Sequence, residues 1–171
     1  MEVRTGDIYF QIGTGLISRC ISFFTKSKIT HVGLILMTYL DDYYIVAEAQ
    51  LGGFLITKKE KSWLQDNAEL GTVLGDLTKE QRDEFRNLIF KYLGSKYDFI
   101  NLIEIAIKKI FGIEKKKDTS NTLICSEAVQ RIYKDMGITL TDIQDDFVSP
   151  ADLYKSDKVK IYWPVPVEIL K

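Results

Sequence analysis

HVGLILMTYLDDYYIVAEAQ, residues 31–50, is the stretch whose reading decides the fold. Residues 31–37 form a dense apolar run opened by His31, residues 39–42 (YLDD) supply a polar turn, and residues 43–50 return as a second strand-like run. The pair reads as an antiparallel hairpin. Side chains on a strand alternate between its faces, so Tyr44, Val46 and Glu48 share one face. Glu48 is then a carboxylate in an otherwise apolar row. Depending on the hairpin register, His31 faces a position between Glu48 and Gly52, so that direct or diagonal contact with Glu48 is within geometric reach.

Outward from the hairpin, the period of the sequence divides the chain. Before it, GDIYFQI (6–12) is a short strand, and TGLISRCISFFTK (14–26) carries Leu16, Ile17, Cys20, Ile21 and Phe24 at helical spacing. After it, GGFLITKK (52–59) and GTVLGDL (71–77) are further strands. Thr78 and Gln81 then make a capping-box pattern ahead of a helix with Phe85, Leu88, Ile89 and Tyr92 on one face, closed by Gly94. A more apolar helix is expected over 99–111, a polar loop over 113–121, and a helix over 125–136 that ends at Gly137. SPADLY (149–154) is a short helix start, and KVKIYWPVPV (158–167) a last strand. Early strands, late helices and a returning strand predict an α+β fold, with helices packed on an antiparallel sheet.

The chain has 171 residues, the size of one domain, and residues 1–171 are read as such. It is 46% hydrophobic and 12% aromatic, a composition that can bury a core. A net charge of −1 gives no electrostatic footprint for nucleic acid. The basic cluster between Lys108 and Lys117 reads as a solvated helix end and loop, which leaves a minor role at a membrane surface or anionic partner open. The longest apolar stretch, residues 99–107, is too short to span a bilayer, and the first ten residues lack the features of a secretory signal. The default expectation is a cytoplasmic protein with two reduced thiols.

Those thiols are placed differently. Cys20 lies on the apolar stripe of the first helix and is assigned to the core. Cys125 follows Leu123-Ile124 and opens a helix, where unpaired backbone N–H groups and the helix dipole favour a thiolate and can hold an oxyanion. On position alone buried packing is the better account of Cys125; it needs a base to be more than that. His31 is the one histidine of the chain and the one imidazole available for that work. Alone it reads as a hydrogen-bonded residue at a strand end, just as Glu48 alone reads as an exposed charge on a sheet face. One histidine and two cysteines without Cys-x-x-Cys spacing make a poor zinc set, and no metal site is expected. No phosphate loop or dinucleotide-binding turn is present, and no cofactor is expected.

GDIYF, THVGLIL, AEA, SKYD and LICSEAVQRIY, in this order, resemble the circularly permuted NlpC-type papain-like hydrolases, in particular the YiiX-like branch. The resemblance spans roughly residues 6–154. In ordinary papain-like enzymes the cysteine helix precedes the histidine strand; here that order is reversed. The resemblance implies a permuted papain-like fold in which Cys125 is the nucleophile, His31 the base and Glu48 the residue that orients it. Tyr97, in SKYD, matches a tyrosine that lines the oxyanion site. SPADLY has a structural counterpart in many relatives. The related lecithin-retinol-acyltransferase-like branch carries an Asn-Cys-Glu-His type of motif, from which ICSEAV departs.

The implied activity is a cysteine amidase or peptidase acting on a small peptide, an amino-acid amide or a cell-wall-type amide. A lipid or thioester acyl hydrolase or acyltransferase of the same fold is the alternative enzyme. A non-catalytic binding domain is the alternative of another class.

Overall fold

A computed structural model describes residues 2–13, 15–38, 40–50, 52–97 and 122–163. Strand β1 (Ile8–Ile12) leads through helix α1 (Leu16–Thr25) to β2 (Ile29–Met37), β3 (Tyr43–Gln50) and β4 (Gly53–Glu60). Helix α2 (Lys61–Asn67), β5 (Ala68–Val73) and α3 (Lys79–Tyr92) follow. Short strands β6 (Lys96–Tyr97) and β7 (Thr122–Leu123) precede α4 (Cys125–Asp135), a 3₁₀ turn (Asp145–Phe147), α5 (Pro150–Tyr154) and β8 (Val159–Trp163).

Six strands form one sheet in the order β4-β3-β2-β1-β5-β8, with every neighbouring pair antiparallel. The expected α+β architecture is therefore present, and its backbone is the 31–50 hairpin. The centre of the sheet is covered on both sides. Ile8, Tyr9 and Phe10 are consecutive and all fully buried, which a strand with one wet face does not allow. On one face, Phe10, Val32, Leu34 and Ala47 pack with Phe85 and Ile89 of α3 and Ala128, Val129, Ile132 and Tyr133 of α4. On the other, Tyr9, Ile35, Val46 and Leu70 pack with Leu64 of α2 and Tyr162 of β8.

Several elements form for the reasons read in the sequence. The Thr78 side chain accepts from the Gln81 N–H and the Gln81 side chain from the Thr78 N–H, which starts α3. Ser149 and Asp152 do the same for α5. Two features differ from the expectation. Helix α2 was not anticipated: it has seven residues and no side-chain cap, and it is held by burial of Leu64 against the second core. Strand β5 starts at Ala68 and ends at Val73 rather than covering 71–77. Its polar Glu69 is buried because Tyr154 donates to it at 2.6 Å and Lys28 pairs with it. The left-handed turn at Gly75 and Asp76 then ends the strand early.

The expected helix 99–111, the 113–121 loop, the basic cluster at Lys108–Lys117 and the end of the last strand beyond residue 163 lie outside the described residues. So do the side chains of Cys20 and Tyr97. Among the described residues no helix is long and apolar enough to cross a membrane.

Candidate active site

Three elements meet at His31. It sits near the start of β2, level with Gln11 of β1, and its side chain is 19% exposed. The last Cα pair of β2 and β3 on this side is Leu34 with Ala47; one residue further on, Gly33 falls level with Glu48. His31 therefore meets Glu48 on the diagonal, and its Nε2 lies 2.9 Å from Glu48 Oε2. The hairpin register that the sequence left open resolves in favour of this contact.

Cys125 is the first residue of α4 and is 2% exposed. Its thiol faces the His31 ring and the backbone N–H groups of Val32 and Ser126, all of which favour a thiolate there. With Nε2 committed to Glu48, Nδ1 is the His31 nitrogen left for the thiol. The residues after the cysteine fix its position. The Ser126 hydroxyl donates to the Val148 carbonyl at 2.7 Å, tying the helix start to the chain ahead of α5. The Glu127 carboxylate accepts from the Ile124 N–H at 3.3 Å and pairs with Arg131 at 2.5 Å, which caps the helix and neutralises a charge near the thiol. The Cys-Ser-Glu sequence is thus a cysteine at the helix start followed by two anchors.

Glu48 is 1% exposed and its carboxylate is saturated with donors. Oε2 accepts from His31 and, at 2.5 Å, from the Tyr9 hydroxyl. Oε1 accepts from Thr57 at 2.7 Å and pairs with Lys59 at 3.0 Å. Lys59 in turn lies 4.9 Å over the ring of Trp63. A carboxylate buried to this degree persists only with such partners.

The titration behaviour follows from this geometry. Burial pushes the Glu48 carboxyl up, but the His31 hydrogen bond and charge, with the Tyr9 and Thr57 hydroxyls, hold it well below the ordinary carboxylate range. Burial pushes the His31 imidazolium down; the Cys125 thiolate beside it and the hydrogen bonds to Cys125 and Glu48 outweigh this and carry it up to about 9. Burial opposes the Cys125 thiolate, yet the His31 charge and the three hydrogen bonds bring the thiol below its ordinary value. Both shifts favour a thiolate beside an imidazolium over a neutral thiol beside a neutral ring. An activated thiolate beside a proton donor that is held by a third group is the arrangement of nucleophilic acyl transfer.

Of the residues singled out in the sequence, the structure brings Cys125, His31 and Glu48 together. It places the backbone of Tyr97 in β6, paired with Leu123 two residues before the cysteine. Tyr9, Thr57 and Lys59 were missed. Their strand faces can be counted from the sequence, but the cross-strand pairings that aim them at one carboxylate cannot.

The permuted order has a counterpart among known proteins. Residues 2–163 match the family described as permuted papain-like amidase enzyme, YaeF/YiiX, C92 family. The chain belongs to that family. The family is described as one of permuted papain-like amidases. A similar curated protein is the probable lipoprotein peptidase YaeF of Escherichia coli strain K12, 24% identical over 177 residues; the match covers 89% of this chain and 63% of YaeF. The chain thus spans less than two thirds of that relative's length. A similar solved structure is that of metalloprotein yiiX from Escherichia coli O157:H7, with a TM-score of 0.68 at 22% identity, covering 92% of this chain and 95% of that one. That likeness supports the fold. Among the described residues of this chain, no group of three or more His, Cys, Asp or Glu side chains could hold a metal ion.

Proposed function

We propose that this chain hydrolyses amide bonds in small peptides, amino-acid amides or cell-wall-type peptides through Cys125, His31 and Glu48. The observation that carries the reading is that His31 interacts with both other groups: the Glu48 carboxylate lies 2.9 Å from its Nε2, and the Cys125 thiol and the His31 ring favour each other's charged form. The Cys125 thiolate attacks the substrate carbonyl carbon, and the oxyanion is held by backbone N–H groups at the start of α4, with Tyr97 as a further candidate donor. The His31 imidazolium gives its proton to the leaving nitrogen as the C–N bond breaks. Neutral His31 then takes a proton from water, the hydroxide attacks the thioester, and the thiol is released. Glu48 holds the ring in the orientation that presents Nδ1 to the sulfur and stabilises the charged ring.

An amide substrate is favoured over an ester by the family's description as an amidase and by the name of the peptidase relative. A panel of peptide p-nitroanilides, p-nitrophenyl acyl esters and acyl thioesters tests this. Cleavage of anilides by the wild type, lost in Cys125→Ala, is the expected result. Turnover of long-chain esters or thioesters without anilides would move the assignment to an acyl hydrolase, and turnover of none of them to a binding domain.

A further inference from the structure

Tyr9, Gly33 and Glu48 lie in one row across three neighbouring strands. Tyr9 of β1 is the register partner of Gly33 of β2, and the Leu34–Ala47 pairing of β2 with β3, continued by one residue, sets Gly33 opposite Glu48. The tyrosine ring crosses over Gly33 to reach the carboxylate. A Cβ on Gly33 would lie 2.5–2.6 Å from two ring carbons and the hydroxyl oxygen of Tyr9, closer than real Cβ atoms approach. Tyr9 is fully buried, and its hydroxyl donates to Glu48 Oε2 at 2.5 Å, the same oxygen that receives His31 Nε2. Burial and the Glu48 charge push the phenol well above its ordinary range, so it remains a donor at any working pH.

We propose that Tyr9 is a positioning residue which, lodged over Gly33, draws charge from the oxygen of Glu48 that faces His31 and so sets how readily His31 releases its proton. This rests on the reading of His31 as the base. Two donors share one carboxylate oxygen, so each weakens the hold of that oxygen on the other. Without the phenol, more of the Glu48 charge would fall on the imidazolium, which would then keep its proton to higher pH. An imidazolium that holds its proton too tightly is a poor acid toward a leaving amine. The hydroxyl keeps the pair in between, with Glu48 ionised and His31 still able to give up its proton. The other groups facing this pair are Thr57 and Lys59 from β4 and Cys125 from α4.

The chain contains a single histidine, so the ring C–H resonances of His31 can be followed by NMR through a pH titration without assignment ambiguity. Tyr9→Phe keeps the ring over Gly33 and removes only the hydroxyl. His31 is expected to titrate about half a pH unit higher in this variant than in the wild type. Gly33→Ala, whose methyl displaces the ring, should shift it in the same direction and gives a second reading from a different substitution. A His31 titration unmoved or lowered in Tyr9→Phe would overturn the proposal. The wild-type midpoint is a separate readout: a value near the ordinary 6.5 or so would count against the thiolate–imidazolium pair. The difference between variants bears on Tyr9 alone.

Discussion

Glu48 meets His31 across β2 and β3 with Oε2 2.9 Å from Nε2, and this contact makes the lone histidine more than a strand-end residue. Glu48→Gln keeps the shape and removes the charge. The imidazolium loses its fixed counter-charge, and Lys59 loses its partner. The upper limb of the activity profile, set by His31 at about 9, is expected to fall by roughly one pH unit. The kcat is expected to fall by roughly 10-fold, against about 10²- to 10⁴-fold for His31→Ala. Steady-state rates on one anilide substrate across pH 5 to 10 or so check both expectations.

The wild-type pH profile follows from the two sides of the pair. Cys125 is held below its ordinary thiol value, and His31 is carried up to about 9. Activity should rise as the thiol loses its proton, stay level while the thiolate faces an imidazolium, and fall as the imidazolium is deprotonated. The sign is fixed by the chemistry: below the first limb there is no nucleophile, and above the second no acid for the leaving amine. A rising limb near the free-thiol value of roughly 8.5 would mean that the pair does not form.

Ser126 supplies a stability prediction independent of the chemistry. Its hydroxyl, fully buried, donates to the Val148 carbonyl. Ser126→Ala removes that donor and is expected to cost about 1–3 kcal/mol, a loss of several °C in Tm for a chain of this size. A thermal melt by circular dichroism measures it. Because the same bond ties down the start of α4, the activity remaining at low temperature should also drop, whereas a surface change such as Lys134→Ala should leave it near the wild-type level.

How much of this was legible in the sequence differs by residue. Cys125 could be read because a helix start after an apolar pair is a distinctive place for a thiol. His31 could be read because it has no competitor, and Glu48 because a carboxylate in an apolar alternation demands a partner. The hairpin and the capped helix α3 followed from local patterns that their own residues determine. Tyr9 could not be read, since a tyrosine between Ile8 and Phe10 looks like core. Its function depends on the absent side chain of Gly33, one strand away, and on Glu48, two strands away. Lys59 and Thr57 were hidden for the same reason. Helix α2 was hidden because its stability lies in the burial of Leu64 against residues distant in sequence rather than in its caps.

Cys125→Ala is expected to abolish hydrolysis while leaving the fold in place. The cysteine contributes a small buried side chain to the core that faces α4, and its truncation should cost on the order of 1 kcal/mol. Cys20→Ser should retain activity. Anilide turnover and a chemical melt on each variant separate the two thiols; loss of activity in Cys20→Ser with its fold intact would contradict the assignment.

The most direct test of the central claim, that Cys125 and His31 are one ion pair, is the rate of Cys125 alkylation by iodoacetamide as a function of pH, with the modified peptide identified by mass spectrometry. The wild type should show an inflection clearly below the free-thiol value of roughly 8.5. In His31→Ala the inflection should move up toward that value, since the strongest influence favouring the thiolate is gone, and in Glu48→Gln it should move less. An alkylation profile that is the same in His31→Ala as in the wild type would contradict the account.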